Sequence, residues 1–332
     1  MFIVESYTTA ILFCFITMIC WGSWANMQKL NSGTWRFELF YWDYVIGILL
    51  FSILFAFTAG SMGMRGRAFI PDLAQADPAN LLSAFTGGVL FNLANILLVA
   101  AIAIAGMSVA FPTGIGIALI LGVVVNYLAK PEGDPRVLFS GVLLIAIAIL
   151  LNANAYRRLN RKTSNFSMKG LVIAIPAGIM LGFFYKYVAV SMVSDQLNPE
   201  PGKLTPYTAL VSFAVGIFVS NFIFNSFIMY KPFVGGAIPW SAWFKGSFKD
   251  HAMGIIGGVI WNLGMSLNIL AAAKASPAIS YGLGQGATVI AAIWGIFIWK
   301  EFKNADRRTN NQLYIMLALY VAGIALLIIA RS

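Results

Sequence analysis

Residues 87–106 read GGVLFNLANILLVAAIAIAG, and residues 257–276 read GGVIWNLGMSLNILAAAKAS. Carried on without a gap to Lys130 and Lys300, the two stretches share thirteen identities in forty-four positions at an offset of 170. Many of the other positions exchange one apolar residue for another. A match of this length, over two apolar runs and the turn between them, is duplication.

The rest of the chain is of the same character. Hydrophobic residues make up 60% of its 332 residues and charged residues 10%. A soluble chain of that length needs more charge to cover its surface, so the bilayer is its solvent. Apolar runs long enough to cross about 30 Å of hydrocarbon recur at 7–28, 37–59, 81–105, 108–129, 137–155, 169–193, 206–229, 250–273, 277–299 and 311–330. The expected fold is an all-α polytopic membrane protein of ten transmembrane helices in two inverted five-helix repeats. Residues 1–155 form the first repeat, 156–168 a basic cytoplasmic connection and 169–332 the second. The offset lays span 3 on span 8 and span 4 on span 9. An odd number of spans per repeat turns the second copy upside down, which puts a binding site near midplane between the halves.

The formal net charge of +10 sorts by side. Lys29, Arg36, Arg157, Arg158, Arg161, Lys162, Lys169, Lys231, Lys245, Lys249, Lys300, Lys303, Arg307 and Arg308 fall on one side; Arg65, Arg67, Lys130, Arg136, Lys203, Lys274 and Arg331 fall on the other. By the positive-inside rule the richer side is cytoplasmic and both termini face outward, as in a multi-pass protein of a plasma (inner) membrane. The basic excess is therefore a topology signal, and nucleic acid is not an expected partner. No phosphate-loop motif is present, so ATP is not one either. Cys14 and Cys20 both lie in span 1 and His251 is the lone histidine, which leaves no metal set, no cofactor site and no catalytic triad. An enzyme is excluded. The expected partners are a small solute and the bilayer; oligomeric state is left open.

Polar side chains inside spans carry the functional reading. Asn92 and Asn262 are the aligned pair, preceded by the aligned Phe91 and Trp261. They either bond across helices or meet a solute, and their shared midplane depth favours the solute. Asn95 follows Asn92 one turn on. In SYGLGQGATVI of span 9, Tyr281, Gln285 and Thr288 form a polar stripe, whereas the matching face of span 4 is Phe111, Ile115 and Ala118. A polar row in only one copy suits an asymmetric solute. Trp21 and Trp24, in CWGSWANMQKL, belong either to the interfacial aromatic belt or to a cavity where two indoles stack on a flat ring. Asp43, in FYWDYVIG, is costly to insert, by about 2.5–3.5 kcal/mol near a helix centre. Its readings are a proton carrier, a salt bridge to Lys186 in span 6, or proximity to the headgroups. Lys186 itself either couples or snorkels to the interface.

Three stretches carry a resemblance: MFIVESYTTAILFCFITMICWGSWAN (1–26), YWDYVIGILLFSILFAFTAGSMG (41–63) and GGVLFNLANILLVAAIAIAGMSV (87–109). Together they resemble the ureide permease family of the drug/metabolite transporter superfamily. The resemblance implies two inverted five-helix repeats and proton-coupled uptake of heterocyclic nitrogen compounds such as allantoin, uracil or xanthine. An acidic residue at Asp43, and Glu5 in VES, fit that pattern. Plant members carry a long loop between spans 5 and 6; here YRRLNRKTSNFSMKG (156–170) takes its place, a short form expected of a bacterial member. The coupling ion is a proton, with sodium the alternative. An importer of monosaccharides such as glucose, ribose or rhamnose is the second functional reading, and an exporter of amphipathic drugs the third. Fixed amides suit the first two better than the third.

Overall fold

The computed structural model describes residues 1–30, 35–105, 107–159, 168–303 and 305–331. Arg161 and Lys162 of the basic connection, and the side chain of Phe111, lie outside the described residues. Among the described residues, ten helices are long and apolar enough to cross a membrane. Span 1 is Tyr7–Lys29, span 2 Phe37–Phe57, span 3 Pro78–Ala105 and span 5 Pro135–Leu159. Span 4 is Met107–Ala129. Span 6 is Met168–Ser191, span 7 Pro206–Tyr230, span 8 Phe248–Ala275, span 9 Pro277–Ile298 and span 10 Arg307–Ile329. The two longest connections hold a short helix, Phe69–Gln75, and a 3₁₀ turn, Trp240–Lys245.

Local chemistry fixes the ends. Spans 3, 5, 7 and 9 each open on a proline (Pro78, Pro135, Pro206 and Pro277). At the first helical position the missing N–H has no intrahelical partner to lose, and the ring presets φ. Span 10 begins at Arg307, four residues before the apolar run at 311. Asp306 caps it by accepting from the Thr309 amide at 2.8 Å, so the helix extends through its charged first turn. A capping box of Ser247 and Asp250 opens span 8.

Two helix crossings determine how the bundle is assembled. A Cβ added to Gly88 would stand 2.0 Å from the Phe213 carbonyl oxygen, and one added to Gly258 would stand 2.0 Å from that of Tyr44. Span 3 thus lies backbone-to-backbone on span 7, and span 8 lies the same way on span 2, as only glycine permits. The contacts return in the reverse sense: Gly216 meets Phe85, and Gly47 meets Ile255. Each residue of one crossing has a counterpart about 170 positions away in the other. Other packing pairs exchange likewise, with spans 3 and 6 answering spans 8 and 1, and spans 4 and 6 answering spans 9 and 1.

Two spans are interrupted. Span 1 breaks at Trp24 and Ala25, where the Met27 amide donates to the Trp24 carbonyl in a tightened turn. Span 9 breaks at Gln285 and Gly286 and ends in a wide turn at Trp294–Ile298. Leu54, Leu150, Ile223 and Val321 stand exposed on the outside of the bundle, as lipid contact requires.

Candidate solute cavity

The two interruptions face the same space. Backbone that departs from a regular helix at membrane depth is tolerated where it lines a cavity. Trp24 and Ala25 of span 1 and Gln285 of span 9 line one of about 290 Å³. Its inner end is aromatic. Phe91 and Trp261 approach to 4.3 Å between ring centroids, Phe91 and Phe184 to 5.3 Å, and Trp21 lies nearly parallel to Trp261 at 5.8 Å. The Trp21 indole N–H donates to the Trp261 carbonyl at 3.1 Å, fixing that ring. Trp24 leans on Tyr44 at 4.6 Å.

Polar groups converge along the walls. Asn95 of span 3 donates to the Tyr41 hydroxyl at 3.3 Å, and among the described residues its carboxamide makes no other hydrogen bond. The Gln285 side chain makes none among the described residues. Thr288 donates back to the Gln285 carbonyl at 3.0 Å. Asn152 of span 5 is buried on the wall, and its Oδ1 is without a partner among the described residues. A buried unpaired acceptor is expensive, so this oxygen is suited to a solute N–H.

The mouth carries charge. Glu301 accepts from Lys29 at 3.0 Å and from the Tyr156 hydroxyl at 2.7 Å, joining the ends of spans 1, 5 and 9. Lys29 also lies over the Trp299 ring at 5.2 Å. The described basic residues of the richer side lie in the connections and adjoining helix ends at this end of the bundle. At the opposite end the connections are tied shut. Asp72, with no exposed surface, takes Arg67 at 2.6 Å and both the amide and hydroxyl of Thr205 at 2.8 and 2.9 Å. Arg67 continues to the Lys203 carbonyl at 2.6 Å. A buried ion pair with its lone pairs filled this way holds two connections as one unit.

Of the residues singled out from the sequence, Trp21, Trp24, Asn95, Trp261, Gln285 and Thr288 meet at this cavity. Asn92, Asn262 and Tyr281 do not line it, and each bonds to neighbouring helices. Asn92 donates to Ser220 Oγ at 2.9 Å and the Ile217 carbonyl at 3.3 Å; Asn262 donates to Ser52 Oγ at 2.6 Å and the Ile48 carbonyl at 2.8 Å. The Tyr281 hydroxyl lies 3.1 and 2.9 Å from the Ala118 and Leu181 carbonyls, between spans 4 and 6.

The three ionisable candidates also lie elsewhere. Asp43 faces His251 of span 8 rather than Lys186. Its Oδ1 lies 2.8 Å from His251 Nδ1 and accepts from the Trp243 indole at 3.0 Å, while Oδ2 is buried without a partner among the described residues. Lys186 is half-buried toward the far end of span 6. Glu5 pairs with Arg65 in the open, at the tied end. Sequence reading missed Asn152, Tyr156, Lys29, Trp299 and Glu301. The polar Asn152, a turn before Tyr156 at the end of a long apolar run, was the one signal available.

A bundle that crosses the membrane ten times around an aromatic and amide-lined cavity, open at one end and tied at the other, has the build of a membrane transporter. The sequence profile described as ureide permease matches residues 40–165 and 156–330, and the chain belongs to the ureide permease family. It is 25% identical to Ureide permease 4 of Arabidopsis thaliana and 24% identical to Ureide permease 1 of the same plant, each over 98% of both chains. A solved crystal structure shares the fold with a TM-score of 0.62 and 15% identity, covering 97% of this chain and 96% of the other. The chain is a multi-pass transporter and not an enzyme.

Proposed function

We propose that this protein imports small neutral ureides and related heterocycles, such as allantoin, uracil or xanthine, by alternating access coupled to protons. The observation that carries the reading is the cavity itself. The indoles of Trp21, Trp24 and Trp261 line it together with the amides of Asn95, Gln285 and Asn152. Asn95 spends one N–H on Tyr41, the Gln285 side chain makes no hydrogen bond among the described residues, and Asn152 Oδ1 has no partner among them. A flat ring edged with imide or ureido groups matches both features, since an amide offers donor and acceptor together. Lys29 and Glu301 neutralise each other at the mouth, which suits an uncharged solute. The relatives being ureide permeases supports the ureide part of this reading.

The matched crossings of spans 3 and 7 and of spans 8 and 2 support the reading of residues 1–155 and 169–332 as inverted repeats. On that reading the mouth opens to the cytoplasm of a plasma-membrane protein with both termini outside, and the Arg67–Asp72 tie closes the outer face. Asp43 is the carrier of the coupling proton. Its Oδ1 is surrounded by nitrogen groups rather than by further oxygens, which favours a proton over sodium. Proteoliposomes test the proposal. Labelled allantoin should accumulate under an inward proton gradient, stop accumulating with a protonophore, and be displaced by uracil but not by glucose. Accumulation of labelled glucose, with labelled allantoin inert, would transfer the protein to the sugar importers.

A further inference from the structure

The two crossings are alike in construction but differ in what they connect to. In the first, the Asn92 carboxamide bonds to Ile217 and Ser220 of span 7. In the second, Asn262 bonds to Ile48 and Ser52 of span 2. Each serine also turns back on its own helix, Ser220 to Ile217 at 3.1 Å and Ser52 to Ile48 at 2.9 Å. Among the described residues the second clamp ends there, with Asn262 Oδ1 unpartnered. The first continues: Tyr41 of span 2 donates its hydroxyl proton to Asn92 Oδ1 at 2.9 Å and accepts from Asn95 Nδ2 at 3.3 Å. Asn95 lines the cavity. At the corresponding places in the second half stand Leu210 and Met265, neither of which can continue such a chain.

We infer that Tyr41 is a positioning residue that couples solute in the cavity to the crossing of spans 3 and 7. The inference rests on the cavity being the solute site. Tyr41 has a single hydroxyl proton. Giving it to Asn92 turns the oxygen's lone pairs toward Asn95, and that presents the remaining amide groups of Asn95 to the cavity in one orientation. The ring is fully buried, so water cannot replace either bond, and a rearrangement at one end must be answered along the chain. A solute that engages Asn95 therefore stabilises one arrangement of Tyr41, Asn92 and Ser220. By linkage, a change at Ser220 alters solute affinity although Ser220 lies outside the cavity wall. Among the described residues the second half has no such connection. Its clamp holds helices together and does not sense the cavity.

The built-in counterpart supplies the control. Allantoin and uracil are titrated against purified protein, with binding read from indole fluorescence. Ser220→Ala and Tyr41→Phe should each weaken binding about fivefold, as the loss of one buried hydrogen bond implies. The double variant should be no weaker than Tyr41→Phe alone, because both changes cut one chain. Ser52→Ala removes the equivalent hydroxyl from the other crossing and should leave the affinity at the parental value. Should Ser220→Ala not purify, Ser220→Cys fills the same space with a poorer donor. The inference is overturned if the Ser220 variant binds like the parent, if Ser220→Ala and Ser52→Ala shift affinity equally, or if the two losses add in the double variant. A parent that binds neither probe is a separate result, which overturns the solute reading and the coupling with it.

Discussion

Asn92 and Asn262 stand 170 residues apart and make the same pair of bonds, one to a backbone carbonyl and one to a serine hydroxyl on the helix they cross. Both are fully buried, and neither reaches the cavity wall. The pair therefore works as two struts on equivalent crossings, and the first is also wired to the cavity through Tyr41.

Asn262→Ala separates the strut from the solute. The variant should lose on the order of 1 kcal/mol of stability, the usual worth of an interhelical hydrogen bond in a membrane protein, and should bind allantoin as the parent does. Thermal unfolding in detergent with and without the solute reads both quantities. A lost affinity at unchanged stability would return Asn262 to the binding site.

Gln285→Ala should behave in the opposite way. The Gln285 side chain makes no hydrogen bond to the protein among the described residues, so its removal leaves no partner unsatisfied and little stability is at stake. Solute affinity should fall roughly five- to tenfold, the worth of one well-made hydrogen bond. The loss should differ between allantoin and uracil, because their polar edges differ. Competition binding with both solutes measures it, and an equal, small loss for each would remove Gln285 from recognition.

The fold was legible because hydrophobic length and a duplicated motif are properties of one continuous stretch. The site was legible in part. Asn92 and Asn95 lie three residues apart, about 60° around a helix, yet one faces span 7 and the other faces the cavity. Alignment of the two halves shows which positions are equivalent, but not which of two neighbouring faces looks inward. Glu301, Lys29 and Tyr156 come from the turn after span 9 and from the ends of spans 1 and 5, and meet only in three dimensions. Each sits at a helix end, where charge reads as topology. His251 posed the same difficulty: a lone histidine at a helix start acquires meaning only when span 2 brings Asp43 to it at 2.8 Å.

Orientation follows from the distribution of charge and is open to direct labelling. Met64 is fully exposed between spans 2 and 3, and Gly236 has open space around it between spans 7 and 8. The native Cys14 and Cys20 are buried and should stay silent. Met64→Cys should react with an impermeant maleimide in intact cells, and Gly236→Cys only after the cells are opened. The reverse pattern would place the cavity mouth outside and make the described conformation outward-facing.

Asp43 and His251 supply the last prediction. The carboxylate is buried between span 2 and span 8, close to the mouth end of the bundle but absent from the cavity wall. If it carries the coupling proton, coupling passes through helix packing rather than through contact with the solute. The site is well placed for that, since Gly254 packs on the Asp43 side chain and Gly258 on the Tyr44 backbone along the same crossing. Asp43→Asn holds the neutral form permanently while keeping the shape of the group. It should bind allantoin and exchange it across the membrane, because the cavity is untouched, but it should not accumulate solute against a gradient, since no proton is released inside to complete the cycle. His251→Gln keeps a hydrogen-bonding partner for Asp43 and removes the imidazole. It should still accumulate allantoin, with the pH dependence of uptake displaced from that of the parent. Counterflow and gradient-driven uptake in the same proteoliposomes distinguish these states. Asp43→Asn that concentrates allantoin as the parent does, with the proton gradient still required, would move the proton to another residue and leave Asp43 and His251 as a structural pair.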